Sequence, residues 1–177
     1  LAKFALIAKP LAAAVLMGQV TRTLDDEHRA NLTLLARVED VFARPPSQRV
    51  MLDPDVARLA GTFGQHMEKE MTRHFDFEER ELFPRMIDAG DGGMAALLVE
   101  EHDAIRAVAD EILPLARAAA NGTLDAAGWQ GLQRGSLELV ERMISHIQKE
   151  TMALLPLLDN LLDDETDREL AFAYAAI

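Results

Sequence analysis

The chain has 177 residues, enough for one domain with a substantial core. Thirty acidic against eighteen basic side chains leave a formal charge of -12, which argues against nucleic acid or an anionic membrane as a partner. Cysteine is absent, which excludes disulfides, thiolate zinc sites, iron–sulfur clusters and cysteine nucleophiles. Any metal site must therefore be built from His, Asp and Glu.

Residues 1–18 are apolar, but Lys3, Lys9 and Pro10 interrupt them and make a poor membrane span. The expectation is an N-terminal apolar segment over 1–20, a helical extension, ahead of a single domain over 21–177. A cytoplasmic location is expected. The first long helix is predicted from Thr21 to Ala43, before Arg44-Pro45-Pro46-Ser47. The second begins at Asp53-Pro54, a cap followed by proline in the first turn, and runs to Ala89, before Gly90-Asp91-Gly92-Gly93. The third spans Met94 to Ala120 and stops at Asn121-Gly122-Thr123. The fourth spans Asp125 to Leu162, and the acidic run from Asp163 to Glu165 reads as a solvated cap before a short C-terminal helix. Pro84, Pro114 and Pro156 predict a kink or a helix end at each.

Each long segment carries apolar residues at alternating steps of three and four, the signature of a helix with one face in a core. The seams are Leu24, His28, Leu35, Val38 and Phe42; then Phe63, Met67, Met71, His74, Glu78 and Leu82; then Leu98, His102, Ile105, Ala109, Ile112 and Ala116; then Leu132, Ser136, Leu139, Met143, His146, Glu150, Ala153 and Leu157. Four such helices with short connections predict an all-α fold, an antiparallel up-down-up-down four-helix bundle with a short C-terminal helix.

The informative feature is where polar groups interrupt these seams. Charged and imidazole groups seldom enter a core unpaired, because desolvation is costly. His28, His74, Glu78, His102, His146 and Glu150 all fall on core-facing stripes. A cation would satisfy them together. They also form an internal repeat. His74 to Pro84 and His146 to Pro156 both read H-x-x-x-E-x-x-x-L-x-P, and Glu27-His28-Arg29-Ala30 matches Glu101-His102-Asp103-Ala104. Two helical hairpins of similar size would carry equivalent groups to one level of the bundle.

Residues i and i+4 of a helix project from one face, about 6 Å apart along the axis. A His and a Glu so placed share one metal or serve two adjacent ones. Two bridging carboxylates and four imidazoles offer eight donor atoms, short of the roughly twelve that two octahedral ions need. A solvent, oxo or hydroxo bridge, or a substrate, must supply the rest. Mixed imidazole and carboxylate donors suit iron or manganese.

His66 and Glu70 form a further H-x-x-x-E but lack the L-x-P continuation. His66 lies about 12 Å along the helix from His74, so it reads as surface or outer layer. Met67, Met71 and Met143 read as core packing, and Trp129 as packing near the start of the fourth helix. Gly128, Gly131 and Gly135 weaken that start or permit close backbone approach. Tyr174, the only tyrosine, lies in the tail, and would approach the site only if the tail folds over the end of the bundle.

These residues resemble the hemerythrin-like, HHE cation-binding domain family over roughly Leu24 to Leu162. The most specific parts are E-H-R-A-N-L at Glu27–Leu32, H-F-D-F-E-E-R-E-L-F-P at His74–Pro84, E-E-H-D-A-I-R at Glu100–Arg106 and H-I-Q-K-E at His146–Glu150. The resemblance implies a four-helix bundle holding two iron ions in a non-haem di-iron centre. His28, His74, His102 and His146 would then be terminal ligands, and Glu78 and Glu150 bridging carboxylates. Two positions depart from the oxygen-carrying members. Arg106 stands where they bear a further His, and Thr151 where they bear an Asp. The first departure removes one imidazole ligand. The second is expected to act on the groups behind the ligands.

The expected function is that of a metal-binding protein that binds, senses or reacts with a small ligand such as O2, peroxide or NO. Iron storage or homeostasis without redox turnover is the alternative, and a structural bundle with a degenerate site the third reading. Enzymatic turnover is not the leading expectation. Leu35, Met71, Ile105 and Met143 are expected to give the site an apolar surround.

Overall fold

The computed structural model describes residues 17–44 and 53–177. Of the predicted N-terminal extension, residues 1–16 lie outside the described residues, and Gln19 and Val20 already belong to the first helix. Among the described residues there is no strand, and no helix is long and apolar enough to cross a membrane.

The first bundle helix, α1, is Gln19–Phe42. The second runs over 54–88 as α2 (Pro54–Lys69), two π-helical turns (Glu70–Phe75 and Glu78–Leu82) and α3 (Phe83–Asp88). The third, α4, is Gly92–Ala120. The fourth runs over 126–161 as α5 (Ala126–Lys149), a π-helical turn (Glu150–Leu154) and α6 (Leu155–Leu161). A short fifth helix, α7 (Asp164–Ala175), closes the chain. Consecutive long helices pack on one another and the first also packs on the fourth, which closes the four-helix ring; α7 lies against α1. The all-α bundle expected from the periodicity is the fold observed.

Local chemistry explains the boundaries. Asp53 caps α2 by accepting from Asp55 N–H, with Pro54 in the first turn. Asp125 accepts from Gly128 N–H and Asp163 from Thr166 N–H. Gly90 takes φ 98° in the turn between the second and third helices, a conformation that suits glycine. Gly135 lies where any Cβ would collide with Ile112, so it lets the third and fourth helices approach closely.

The three prolines behave differently from one another. Pro84 and Pro156 each fall in the first turn of an α-helix that resumes after a π-helical turn. A missing N–H costs least there. Pro114, by contrast, neither ends nor interrupts its helix, which continues to Ala120. The π turn at Glu150–Leu154 also corrects the predicted seam. The extra residue in that turn rotates the following residues, so Leu154, Leu155 and Leu158 face the core while Ala153 and Leu157 are only half-buried.

The core has two apolar parts. One contains Leu35, Phe63, Met67, Met71, Ile105, Trp129 and Met143. The other contains Leu24, Phe77, Leu82, Leu98, Leu158 and Tyr174. Along every long helix the switch from one part to the other falls at the polar residues of the repeat. Trp129 packs on Phe42 with ring centroids 5.6 Å apart.

Candidate metal centre

The layer between the two apolar parts is where all six predicted residues meet. His28, His74, Glu78, His102, His146 and Glu150 are each at most 2% exposed. The π-helical turns sit on the repeat itself. Glu78–Leu82 and Glu150–Leu154 cover the E-x-x-x-L part of the two motifs, and His74 lies in the preceding π turn. Such turns recur at functional sites because they re-aim side chains without breaking the helix.

The donor atoms form two adjoining groups. One consists of His28, His74, Glu78 and Glu150, the other of Glu78, His102, His146 and Glu150, and within each group the donors lie within 4.8 Å of one another. Glu78 turns Oε1 to His74 Nε2 at 3.1 Å and Oε2 to His102 Nε2 at 3.4 Å. Glu150 turns Oε2 to His28 Nε2 at 3.1 Å and Oε1 to His146 Nε2 at 3.0 Å. Both carboxylates thus serve both groups, one oxygen to each.

The arrangement fits a cation better than it fits self-pairing. His102 Nε2 and His146 Nε2 approach to 3.0 Å, nitrogen facing nitrogen. Despite these short N···O separations, His28 Nε2 and all four carboxylate oxygens of Glu78 and Glu150 are buried and make no aligned hydrogen bond among the described residues. Buried polar atoms are rarely left so, because each forfeits its hydration. Lone pairs converging in this way would be satisfied by a cation among them. Nitrogen and oxygen donors with no thiolate suit a first-row transition metal.

A second layer sets the imidazoles. His74 Nδ1 lies 3.2 Å from Glu27 Oε2, His102 Nδ1 2.7 Å from Glu79 Oε1, and His146 Nδ1 3.1 Å from Glu101 Oε2. His28 Nδ1 instead meets the Thr151 hydroxyl at 3.3 Å. Carboxylates in this position fix the tautomer that leaves Nε2 free to bind and raise its basicity. Each of the three carboxylates is itself held by a cation: Glu27 by Arg73 at 2.8 Å, Glu79 by Arg106 at 2.7 Å, and Glu101 by Lys149 at 2.6 Å. Arg106 therefore points to Glu79 and Asp76 rather than to the cluster. Thr151 acts behind a predicted ligand, as its place in the motif suggested.

Electrostatics of the metal-free chain follow from this packing. Burial works against a charged His102, but the Glu150 and Glu78 carboxylates outweigh it and raise its pKa to about 9. His74 and His146 are raised in the same way, burial being overcome chiefly by Glu78 and by Glu150 respectively. Burial likewise opposes a charged Glu27, yet hydrogen bonds from His74 and Tyr174 hold it down at about 2.

Further contributors surround this layer. The tail does fold over the bundle: α7 brings Tyr174 to 1% exposure, where its O–H donates to Glu27 Oε2 and its oxygen lies 3.2 Å from His74 Nδ1. Arg73 stacks over its ring at 4.2 Å. Phe75 lies parallel to the His102 ring at 3.8 Å. Glu79 had a signal in the doubled E-E of the motif, whereas the partners of Tyr174 depend on how α7 folds back. His66 stays out of the cluster. It is about one-third exposed, bonds Asn31 Oδ1 and lies 3.9 Å from Glu70 Oε2.

None of the curated proteins compared with the chain matches it. The family model described as Hemerythrin HHE cation binding domain matches residues 19–158, from the start of α1 through the second H-x-x-x-E-x-x-x-L-x-P motif. With four helices delivering four imidazoles and two shared carboxylates to one buried layer, the chain belongs to the hemerythrin HHE cation-binding domain family.

Proposed function

We propose that the chain holds two iron ions and binds, senses or reacts with a small ligand such as O2, peroxide or NO. The observation that carries the reading is the sharing of Glu78 and Glu150 between two donor groups by opposite oxygens. In this reading His28 and His74 hold one ion, His102 and His146 the other, and the two glutamates link them. Such a pair would supply a redox-active, Lewis-acidic centre for a small ligand. The protein contributes the rest. It fixes three imidazole tautomers through the carboxylates of Glu27, Glu79 and Glu101, sets His28 against the Thr151 hydroxyl, and excludes bulk water with Phe75, Met71, Ile105 and Met143, all buried. Eight protein donors leave positions on the ions for a small ligand or solvent.

The test is anaerobic loading with ferrous iron, metal analysis, then exposure to air, peroxide or NO with optical spectra. Two iron equivalents and a new ligand-to-metal absorption are expected. Two equivalents with an unchanged spectrum under all three ligands would favour iron storage or delivery instead. No retained iron would overturn both readings.

A further inference from the structure

The internal repeat makes the two donor groups comparable residue by residue, and the comparison exposes one broken equivalence. Glu27 backs His74 within the first hairpin, and Glu101 backs His146 within the second. Between hairpins, Glu79 follows the motif glutamate Glu78 and backs His102. The residue that follows Glu150 in the same place is Thr151, and it backs His28. Three imidazoles therefore lean on a carboxylate, and His28 alone leans on a neutral hydroxyl.

A carboxylate on Nδ1 raises the donor strength of Nε2, and removing such a partner typically weakens metal binding about 10–100-fold. The His102/His146 group has two carboxylate-backed imidazoles; the His28/His74 group has one. His102 is covered by Phe75 at 3.8 Å and by Phe83 at 5.6 Å, centroid to centroid. On the other side a cavity of about 90 Å³, bordered by Glu27, Asn31, His66, Glu70 and Tyr174, reaches His74. Glu70 adds a negative charge 3.7 Å from His74 Nδ1 that would favour a cation. It faces His74, however, and leaves His28 with no carboxylate on its Nδ1.

We propose that the two cation positions are inequivalent, the His28/His74 position being the exchangeable one, and that Thr151 is the residue that makes it so. The inference rests on the reading that two ions are held. Thr151 is a positioning residue: it would act on the ion through His28, and its side chain is exposed.

The experiment loads the full chain anaerobically with ferrous iron, confirms two equivalents, and follows transfer to a coloured ferrous chelator. Wild type should release one equivalent at least about tenfold faster than the other. His28→Ala should retain one slowly released ion and His102→Ala one rapidly released ion. Thr151→Glu should slow the fast phase towards the slow one, and Thr151→Val should speed it further, with helix content unchanged by circular dichroism. Release of both wild-type equivalents in a single phase would overturn the inference, as would a fast phase that survives in His28→Ala or is indifferent to both Thr151 variants. Fewer than two equivalents before the chelator is added would instead refute the two-ion reading.

Discussion

Glu78 and Glu150 stand on diagonal helices and divide the same four imidazoles in opposite sense, Oε1 of Glu78 and Oε2 of Glu150 facing one pair and the remaining two oxygens the other. With two cations held, each carboxylate would offset the repulsion between them. Glu78→Gln and Glu150→Gln keep the shape and remove the charge, so each should lower bound iron from two equivalents to one or none while the bundle still folds. Metal analysis of both variants checks this. Two equivalents retained by one variant and lost by the other would show that the two residues do not play the same part.

His74→Ala and His146→Ala each remove a donor with an Nε2 about 3 Å from a shared carboxylate. Each should lose at least one equivalent of metal. His66→Ala removes only a contact to Asn31 and a long approach to Glu70, and should keep full stoichiometry. Equal loss in all three would mean that the wrong pair of the second helix has been identified.

Metal uptake should depend on pH well above the usual imidazole range. In the metal-free chain His102 holds its proton up to about 9, against roughly 6.5 in an unfolded chain. A cation must displace that proton, so apparent affinity should rise from pH 7 to pH 9 and fall steeply in acid. Folding of the metal-free chain has the opposite sign. The raised pKa contributes stability that is fully present below about 6.5 and is lost as pH rises through about 9. Thermal melts of metal-free and loaded protein across that window, with proton release on loading, test both halves.

Tyr174→Phe removes the hydroxyl that Glu27 accepts while leaving the ring packed on Phe77, 4.6 Å away, and under Arg73. Loss of a hydrogen bond to a charged group should cost about 1.5–3 kcal/mol of stability. Iron stoichiometry should remain two, with affinity weakened because Glu27 holds His74 less firmly. Denaturant melts and iron titration separate these effects. An unchanged affinity would show that Tyr174 fastens α7 and does nothing for His74.

Asp167 of α7 accepts from Gln19 N–H at 2.7 Å and Val20 N–H at 3.0 Å, while α1 has no side-chain cap of its own. Asp167→Ala should therefore cost about 1 kcal/mol, as the loss of a helix cap does. Hydrogen exchange should quicken in the first turn of α1 and in α7, leaving the metal layer protected. Protection lost uniformly over the bundle would contradict this.

The sequence by itself determined the bundle and the identity of the polar layer. Helical periodicity marks which face is buried, and the cost of burying His28, His74, Glu78, His102, His146 and Glu150 singly requires that they meet. The duplicated motif then selects His74 and Glu78 over His66 and Glu70. Tertiary structure alone decided which oxygen faces which imidazole, because that depends on how diagonal helices align. It also decided the second layer. Glu79, Glu101 and Thr151 reach imidazoles on neighbouring helices, and Tyr174 and Asp167 act only after α7 folds back across the bundle. The π-helical turns were hidden for a related reason. A period of 3.6 residues predicts a continuous seam, whereas the wider turns at Glu78 and Glu150 form where the packing of the polar layer re-aims the helix.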